Sequence, residues 1–529
     1  MSSLLIIFVS GIAFFLAYRF YASKAERIFN IDPRRATPAY AKFDSVDYIP
    51  AKNWLVLFGH HFSSIAGAGP IIGPVIAVTL WGWMPALLWV VLGTIFIGGI
   101  HDFGALVSSI REGGVSVADI ASRTISRRAK IIFSLFVWCA LILVIAVFIY
   151  LCADTFIKQP QIVLPSLGII PIAILLGYLM YYVRVNSVLV TVLGLLFLAL
   201  LLRYGDMFII KTDIKVWIVI LFVYCYFASV LPVNILLQPR DYLCSFLLFF
   251  SVGVGYIGLF LSKPKIIAPA FGAFSSVEGP LWPMLFVTVA CGAVSGFHSL
   301  IASGTTSKQI ASERHAKRIG YGSMIAEGAV AVLAIVCAAA IFGLQDNPGA
   351  LLKKMTPTGI FAQGFGTVSS SILGSSGAFI AITILNAFIL TTLDTATRIS
   401  RYLTEELTGI KNRYLSTMLI VFLGLVLALS GKWQKIWPVF GASNQLVAAL
   451  ALFIVACWLI AKNKPIKFIL WPAFFMLITS VCALFLQAIH SFNNKDITLG
   501  VISLILVILA GFMVYEVLPV IFTRRRKYV

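Results

Sequence analysis

Charge is what this sequence has least of. Asp, Glu, Lys and Arg make up 11% of its 529 residues, and the 20 acidic residues are half as many as the 40 basic ones. A soluble globular chain is about 25% charged. Here 60% of residues are hydrophobic and the mean hydropathy is +1.00. No run of polar residues is long enough to cover one large soluble core, so the composition reads as a chain built for lipid. Metal and redox chemistry lack their signatures too. The eight cysteines are scattered, mostly in apolar runs and never as CxxC, so neither a disulfide framework nor a zinc site is implied. No HExxH occurs and no nucleophile–base pair stands out, so neither an enzyme nor a cofactor is expected. Gly67-Ala-Gly69-Pro-Ile-Ile-Gly73 has the wrong spacing for a dinucleotide loop and no strand before it. The net charge of +20 does not point to nucleic acid, because Lys and Arg are gathered into loops between apolar runs.

What is present is span after span. Hydropathy predicts an all-α polytopic membrane protein with about 15 transmembrane helices of about 20 residues, its partners including membrane lipids. Those that matter below are span 2 (Leu55–Leu80), span 3 (Met84–Ile110), span 7 (Ile214–Leu237), span 9 (Leu281–Ala302), span 11 (Val368–Leu393) and span 13 (Val439–Ile460). Leu4 to Tyr18 is apolar and is followed by Arg19, Lys24 and Arg27. A cleaved signal peptide has the reverse charge order, so this is read as a retained first span. Loops after odd-numbered spans, with the tail, hold roughly 28 of the 40 Lys and Arg, and loops after even-numbered spans about 11. That alternation predicts a periplasmic N-terminus and a cytoplasmic C-terminus.

Four segments combine membrane depth with helix-breaking or polar residues. Span 2 has Gly59-His-His-Phe-Ser-Ser-Ile-Ala-Gly-Ala-Gly-Pro70, followed by Gly73-Pro74. Span 7 has Phe227 to Asn234 and then Gln238-Pro-Arg-Asp-Tyr242. Span 9 has Ser295-Gly-Phe-His-Ser299 and Ala302 to Ser307, and span 11 has Gly374-Ser-Ser-Gly377 and Thr391 to Arg398. Hydrocarbon cannot satisfy freed backbone groups, so breaks at that depth belong beside a cavity. A pair of interrupted helices in corresponding positions of two halves points to a transporter site. Spans 2 and 7 lie five apart and run antiparallel, which predicts a five-plus-five inverted repeat over residues 55–203 and 214–403. Residues 1–54 would then be a first helix and loop, and 404–529 additional C-terminal helices. A seven-plus-seven repeat pairing spans 2 and 9 is the rival, on the echo of His61-Phe-Ser-Ser-Ile-Ala66 in Phe297-His-Ser-Leu-Ile-Ala302.

The motifs HHFSSIAGAGPIIGP (60–74), GGIHDFGALVSS (98–109), LLQPRDYL (236–243), SGFHSLIASGTTSKQ (295–309), LTTLDTATRISRYL (390–403) and FGASNQLVAALAL (440–452) run in order through the chain. In them the chain resembles the carbon starvation protein A family of bacterial inner-membrane carriers. The resemblance implies the LeuT-like five-plus-five core of the amino acid–polyamine–organocation transporters. It also implies import of peptides or pyruvate, in some members driven by protons, across the cell inner membrane. A channel would need rings of like residues supplied by symmetry. A nutrient sensor, the alternative kept, would normally need a soluble output domain.

Ionisable residues within a span are costly and so mark function by default. His60 and His61 are expected to bind a substrate carboxylate or, for His61, to carry a proton; the duller reading is hydrogen bonding to backbone freed by the break. Gly67, Gly69, Pro70, Gly73 and Pro74 would shape an unwound segment whose amides attract an anion, or else permit tight helix packing. Ser295 and His298 are expected to face the same cavity. Asp102, beside His101, is a candidate proton carrier, or an anchor paired with a nearby Arg. Arg240 and Asp241 read as a gate salt bridge, or Asp241 as a helix cap. Asp394 and Arg398, four apart, would pair locally. Ala302, Thr305 and Thr306 offer a carbonyl and two hydroxyls for an ion such as sodium, or cap the helix. Asn444 and Gln445 are read as packing residues at the start of span 13.

Overall fold

The computed structural model describes residues 2–526 apart from 45–47, 52, 182, 184, 232–235, 342–351, 353–354 and 432. Apart from one two-stranded hairpin and an isolated bridge, its regular structure is helical. The helices used below are α1 (Ser3–Phe29), α2 (Trp54–Ile65), α3 (Gly69–Trp81), α4 (Trp83–Arg111) and α5 (Arg127–Lys158). They continue with α6 (Val163–Tyr181), α7 (Ser187–Tyr204), α8 (Ile214–Val230) and α9 (Leu237–Ser262). A helix broken twice follows: α10 (Leu281–Thr288), α11 (Ala290–Ala293) and α12 (Gly296–Gly304). Then come α13 (Glu313–Ile341), α14 (Pro357–Leu373), α15 (Gly377–Thr408), α16 (Arg413–Leu429), α17 (Trp433–Ala461), α18 (Lys467–Asn493) and α19 (Ile497–Arg526).

Ten described helices are long and apolar enough to cross a membrane, eleven with the bent pair α2–α3, and α7, α8 and α16 are shorter apolar helices. The chain is a multi-pass membrane protein. Burial sorts the helices into layers. The apolar window of α17 is 89% buried, whereas those of α1 and α19 are 33% buried. The central helix is apolar all round because it meets protein on every side; the rim helices turn Phe8, Phe15, Phe512 and Tyr515 outward, as lipid-facing helices do.

Two expectations change. Gly374-Ser-Ser-Gly377 does not interrupt one span at Val368–Leu393. It is the exposed turn of a hairpin between α14 and α15, with Gly374 at φ +56°. Gly366 and Gly377 let the two helices touch at that turn. The interruption expected in span 7 falls at the end of α8, which closes at Leu231, and Pro232 to Asn234 lie outside the described residues.

The two faces of the bundle differ. On the face opposite the basic loops, the corner between α3 and α4 is sealed. Gly82 (φ +96°) turns the chain, and the segment 269–272 bonds across it: Gly272 N–H to the Trp81 carbonyl (2.8 Å), Trp83 N–H to Pro269 (3.2 Å) and Met84 N–H to Ala270 (3.0 Å). On the basic face, the loop after α1 is pinned by one carboxylate. Glu313, 0% exposed, accepts from the Asp32 N–H (3.1 Å), Arg35 (3.2 Å) and the Arg111 guanidinium (3.2 Å). Arg111 also donates to the carbonyls of Phe29 and Asn30, so the ends of α1, α4 and α13 meet there. Breaking a buried ion pair by removing one partner costs about 3 kcal/mol or more. Glu313→Ala is therefore expected to lower the thermal midpoint in detergent clearly more than Glu406→Ala, a partly exposed carboxylate; equal midpoints would remove Glu313 from this role.

Candidate functional site

Two broken helices lie side by side and antiparallel. α2 and α3 meet at a bend of 46°. Ala66 leaves the helix (φ −77°, ψ 59°), and Pro70, which has no N–H to lose, restarts it in the first turn of α3. In the partner, Val294 and Ser295 are extended before α12 begins at Gly296. The partner of α2–α3 is thus the helix of span 9, not that of span 7. Glycine sets the spacing: a Cβ on Gly69 would strike Cys291, and one on Gly73 would strike the Thr288 carbonyl.

The breaks face each other across a void of about 10 Å³, room for a single water, bordered by Gly67, Gly69, Cys291, Ser295, Thr392 and Asn444. Both α3 and α12 begin there, so two positive helix ends converge on it. The Thr392 hydroxyl is buried and has no partner among the described residues. Asn444 is more than packing. Its Oδ1 accepts the Phe297 N–H (3.0 Å) and its Nδ2 donates to Ser295 Oγ (3.0 Å), so α17 caps α12 from across the bundle. Gln445 donates to the Phe286 carbonyl (2.6 Å) and ties α10 to the same helix.

Neither His60 nor His61 borders the void. His61 is fully buried and its Nδ1 lies 2.7 Å from Thr306 Oγ1, joining α2 to the chain after α12. His60 points elsewhere, 3.7 Å from Asp241 Oδ2. It borders a cavity of about 460 Å³ on the basic face, together with Asp241, Ser303, Thr305 and Arg398. Tyr48 and Lys308 also line that cavity, and they stack on each other.

Of the residues expected at an ion site, Ala302, Thr305 and Thr306, the two hydroxyls already make hydrogen bonds within the protein. α12 ends at Gly304, Thr305 donates back to the Ile301 carbonyl (3.1 Å), and Thr306 is engaged with His61. Asp394 does not pair with Arg398. It takes Arg240 of α9 and the Tyr224 hydroxyl of α8 (2.6 Å), while Arg398 donates to the carbonyls of Ala228 (2.8 Å) and Leu231 (2.6 Å) at the end of α8. Asp241 lies in the second turn of α9 and does not cap it; its oxygens are 3.7 Å from Arg240 and 3.7 Å from His60.

Asp102 is anchored by histidines, not arginine. His101 Nδ1 is 2.8 Å from its Oδ1 and His298 Nδ1 is 2.9 Å from its Oδ2. His298 Nε2 in turn lies 3.1 Å from Glu327 Oε2, at ion-pair range but outside hydrogen-bond alignment. All four side chains are at most 1% exposed. Glu327 and Tyr224 are not among the residues the sequence singles out, and Thr392 lies in the polar stretch Thr391 to Arg398 without being singled out there. Glu327 had a legible signal, being the one carboxylate in Gly322–Ile341. Tyr224 carried none, since tyrosine is not rare in a span.

The approach of α3 to α10 makes a specific demand. Gly73→Ala sets a methyl group against backbone, which cannot rotate away. An overpacking cost of about 1–3 kcal/mol is expected, read as a lower thermal midpoint with slower uptake. Gly11→Ala, where a Cβ meets nothing within 4 Å, is expected to leave both unchanged. A tolerant Gly73→Ala would mean the helices are not held this close.

Comparison with known proteins agrees with this architecture. The solved structure of an Eremococcus coleocola manganese transporter bound to an aromatic bis-isothiourea compound superposes with a TM-score of 0.57 at 12% identity, over 91% of this chain and 98% of that one, so the fold is shared. The Campylobacter jejuni peptide transporter CstA is 30% identical over 91% of this chain and 79% of its own length. The Bacillus subtilis peptide transporter CstA is 30% identical over 97% of this chain and 96% of its own. The Escherichia coli pyruvate/proton symporter BtsT is 30% identical over 92% and 82%. The sequence model of the family described as carbon starvation protein CstA matches residues 2–347 and 344–483. The chain belongs to the carbon starvation protein CstA family.

Proposed function

We propose that this protein is a secondary-active importer of a small carboxylate-bearing nutrient, peptide or pyruvate, working by alternating access and driven by protons. The observation that carries the proposal is the pair of antiparallel broken helices whose half-helix N-termini converge on one void beside an unpartnered hydroxyl. Converging helix N-termini attract an anion, and a carboxylate is the anion that peptides and pyruvate share. The relatives named for peptide and for pyruvate/proton transport support both the substrate class and the coupling ion. The amide of Gly69, with the hydroxyls of Ser295 and Thr392, is the set of groups offered to the carboxylate.

The repeat is best framed by the break pairing. One half runs from α2 to α9 (54–262), with the hairpin α6–α7 inserted. The other runs from α10 to α17 (281–461), with α14 as a cover. This frame keeps five spans per half and replaces 55–203 with 214–403, because α2–α3 packs on the helix of span 9. The alternation of basic loops supports a cytoplasmic side at those loops in a bacterial inner membrane, with a periplasmic N-terminus.

The large cavity on the basic face and the sealed 269–272 corner on the other support the reading of this conformation as inward-facing. The Arg240–Asp394–Tyr224 cluster, with Asp241 beside His60, forms the gate at the inner side of the cavity. Asp102 and His61 are the expected proton carriers.

The test is uptake in proteoliposomes of labelled pyruvate and of a labelled dipeptide, with and without an inward proton gradient. Accumulation of at least one, abolished by a protonophore, is expected. No gradient-dependent accumulation of either, with sodium also supplied, overturns the proposal. The inward-facing state has its own check. In sided vesicles, Thr305→Cys is expected to react with an impermeant maleimide from the cytoplasmic side, above the background of the native cysteines. Reaction from the periplasmic side alone would invert the assignment.

A further inference from the structure

Beyond the substrate path, the bundle holds a closed group of four titratable side chains from three elements. His101 and Asp102 come from α4, His298 from α12 and Glu327 from α13. Each ring nitrogen of His298 faces a carboxylate oxygen, Asp102 Oδ2 at 2.9 Å and Glu327 Oε2 at 3.1 Å. A neutral imidazole has one N–H and one lone pair. With both carboxylates ionised, that lone pair would face an anion inside a core where like charges are poorly screened. The contact pattern therefore calls for one proton beyond the neutral imidazole, held on His298 or on one of the two acids. Glu327 Oε1 has no partner among the described residues, and neither does His101 Nε2. The further titratable groups facing this set from the packed elements are His61 of α2 and Cys291 of α11.

The position matters as much as the charge. His298 lies in the first turn of α12, three residues after the extended Ser295. Asp102 and Glu327 lie within the unbroken helices α4 and α13. A half-helix hinged at Val294–Ser295 would carry the imidazole toward or away from two acids that stay in place.

We infer that Glu327 is a proton-coupling residue of the transport cycle, holding His298 and Asp102 together through one shared proton that locks α12 against α4 and α13. Loss of that proton to water leaves two carboxylates facing one neutral ring. Their repulsion releases the half-helix, and rebinding of a proton from water relocks it. No bond other than to hydrogen changes, and water is the co-reactant. The inference rests on the proton-driven reading above, and adds to it the residue that answers His298 from the far side.

The test uses the full chain in proteoliposomes with whichever substrate the wild type accumulates. Gradient-driven accumulation is compared with exchange of labelled for unlabelled substrate at equal pH on both sides. At one proton per substrate, a gradient of one pH unit drives about tenfold accumulation. Glu327→Gln is expected to lose that accumulation while exchange continues and becomes insensitive to pH. Glu327→Asp, which keeps the acid, is expected to restore part of it. Wild-type accumulation and pH dependence in Glu327→Gln would overturn the inference. So would loss of exchange and accumulation together in both variants at an unchanged thermal midpoint, which would mark a structural role. If the wild type itself accumulates nothing under any proton gradient, the proton-driven reading falls and this inference falls with it.

Discussion

In hydrocarbon, a backbone group that loses its helical partner must find another in the protein. The architecture of this protein follows from that demand at one depth. Two helices break there, at Ala66–Ala68 and at Val294–Ser295, and each break is tolerated because the other lies beside it. Asn444 supplies the Phe297 amide with its acceptor. Gly69 and Gly73 let the backbones approach closely enough to exclude lipid. The helix that delivers Asn444 must be surrounded by protein, and α17 is the most buried membrane-length helix among those described.

Burying charge imposes a second layer of order. A lone ion in the core is costly, so each is found in company. The company falls into separate groups around the broken helices. Arg240, Asp394 and Tyr224 tie α8, α9 and α15 together beside the open cavity. His101, Asp102, His298 and Glu327 tie α4, α12 and α13 together away from it. Glu313 with Arg35 and Arg111 closes the loop of α1 over the basic face.

Membrane residence, the helical class and the breaks in spans 2 and 9 were legible in the residues, because each is a local property. A run of apolar residues spans lipid wherever it sits, and Gly-Ala-Gly-Pro interrupts a helix whatever surrounds it. The same local view misread Gly374-Ser-Ser-Gly377. An exposed turn between two packed helices and a break within one helix share one composition, and which of them forms is decided by which helix packs against which. It also paired Asp394 with Arg398, four residues along its helix, when Arg240 reaches it from α9.

Chemistry at the site divides along the same line. The residue types were visible: histidines, carboxylates and glycines at membrane depth, where their cost demands a purpose. Which of them meet was not. His60 and His61 are neighbours in sequence yet face different partners, Asp241 and Thr306. Glu327 stands 29 residues from His298 and meets it through the fold. The sequence by itself determined a membrane-embedded helical bundle with two interrupted spans, since hydropathy and helix breaking act within one segment. The tertiary structure alone decided that those two spans are partners, and which acids answer which bases. Arg35 and Glu313, for example, meet across 278 positions of sequence, and no local physical rule reaches that far.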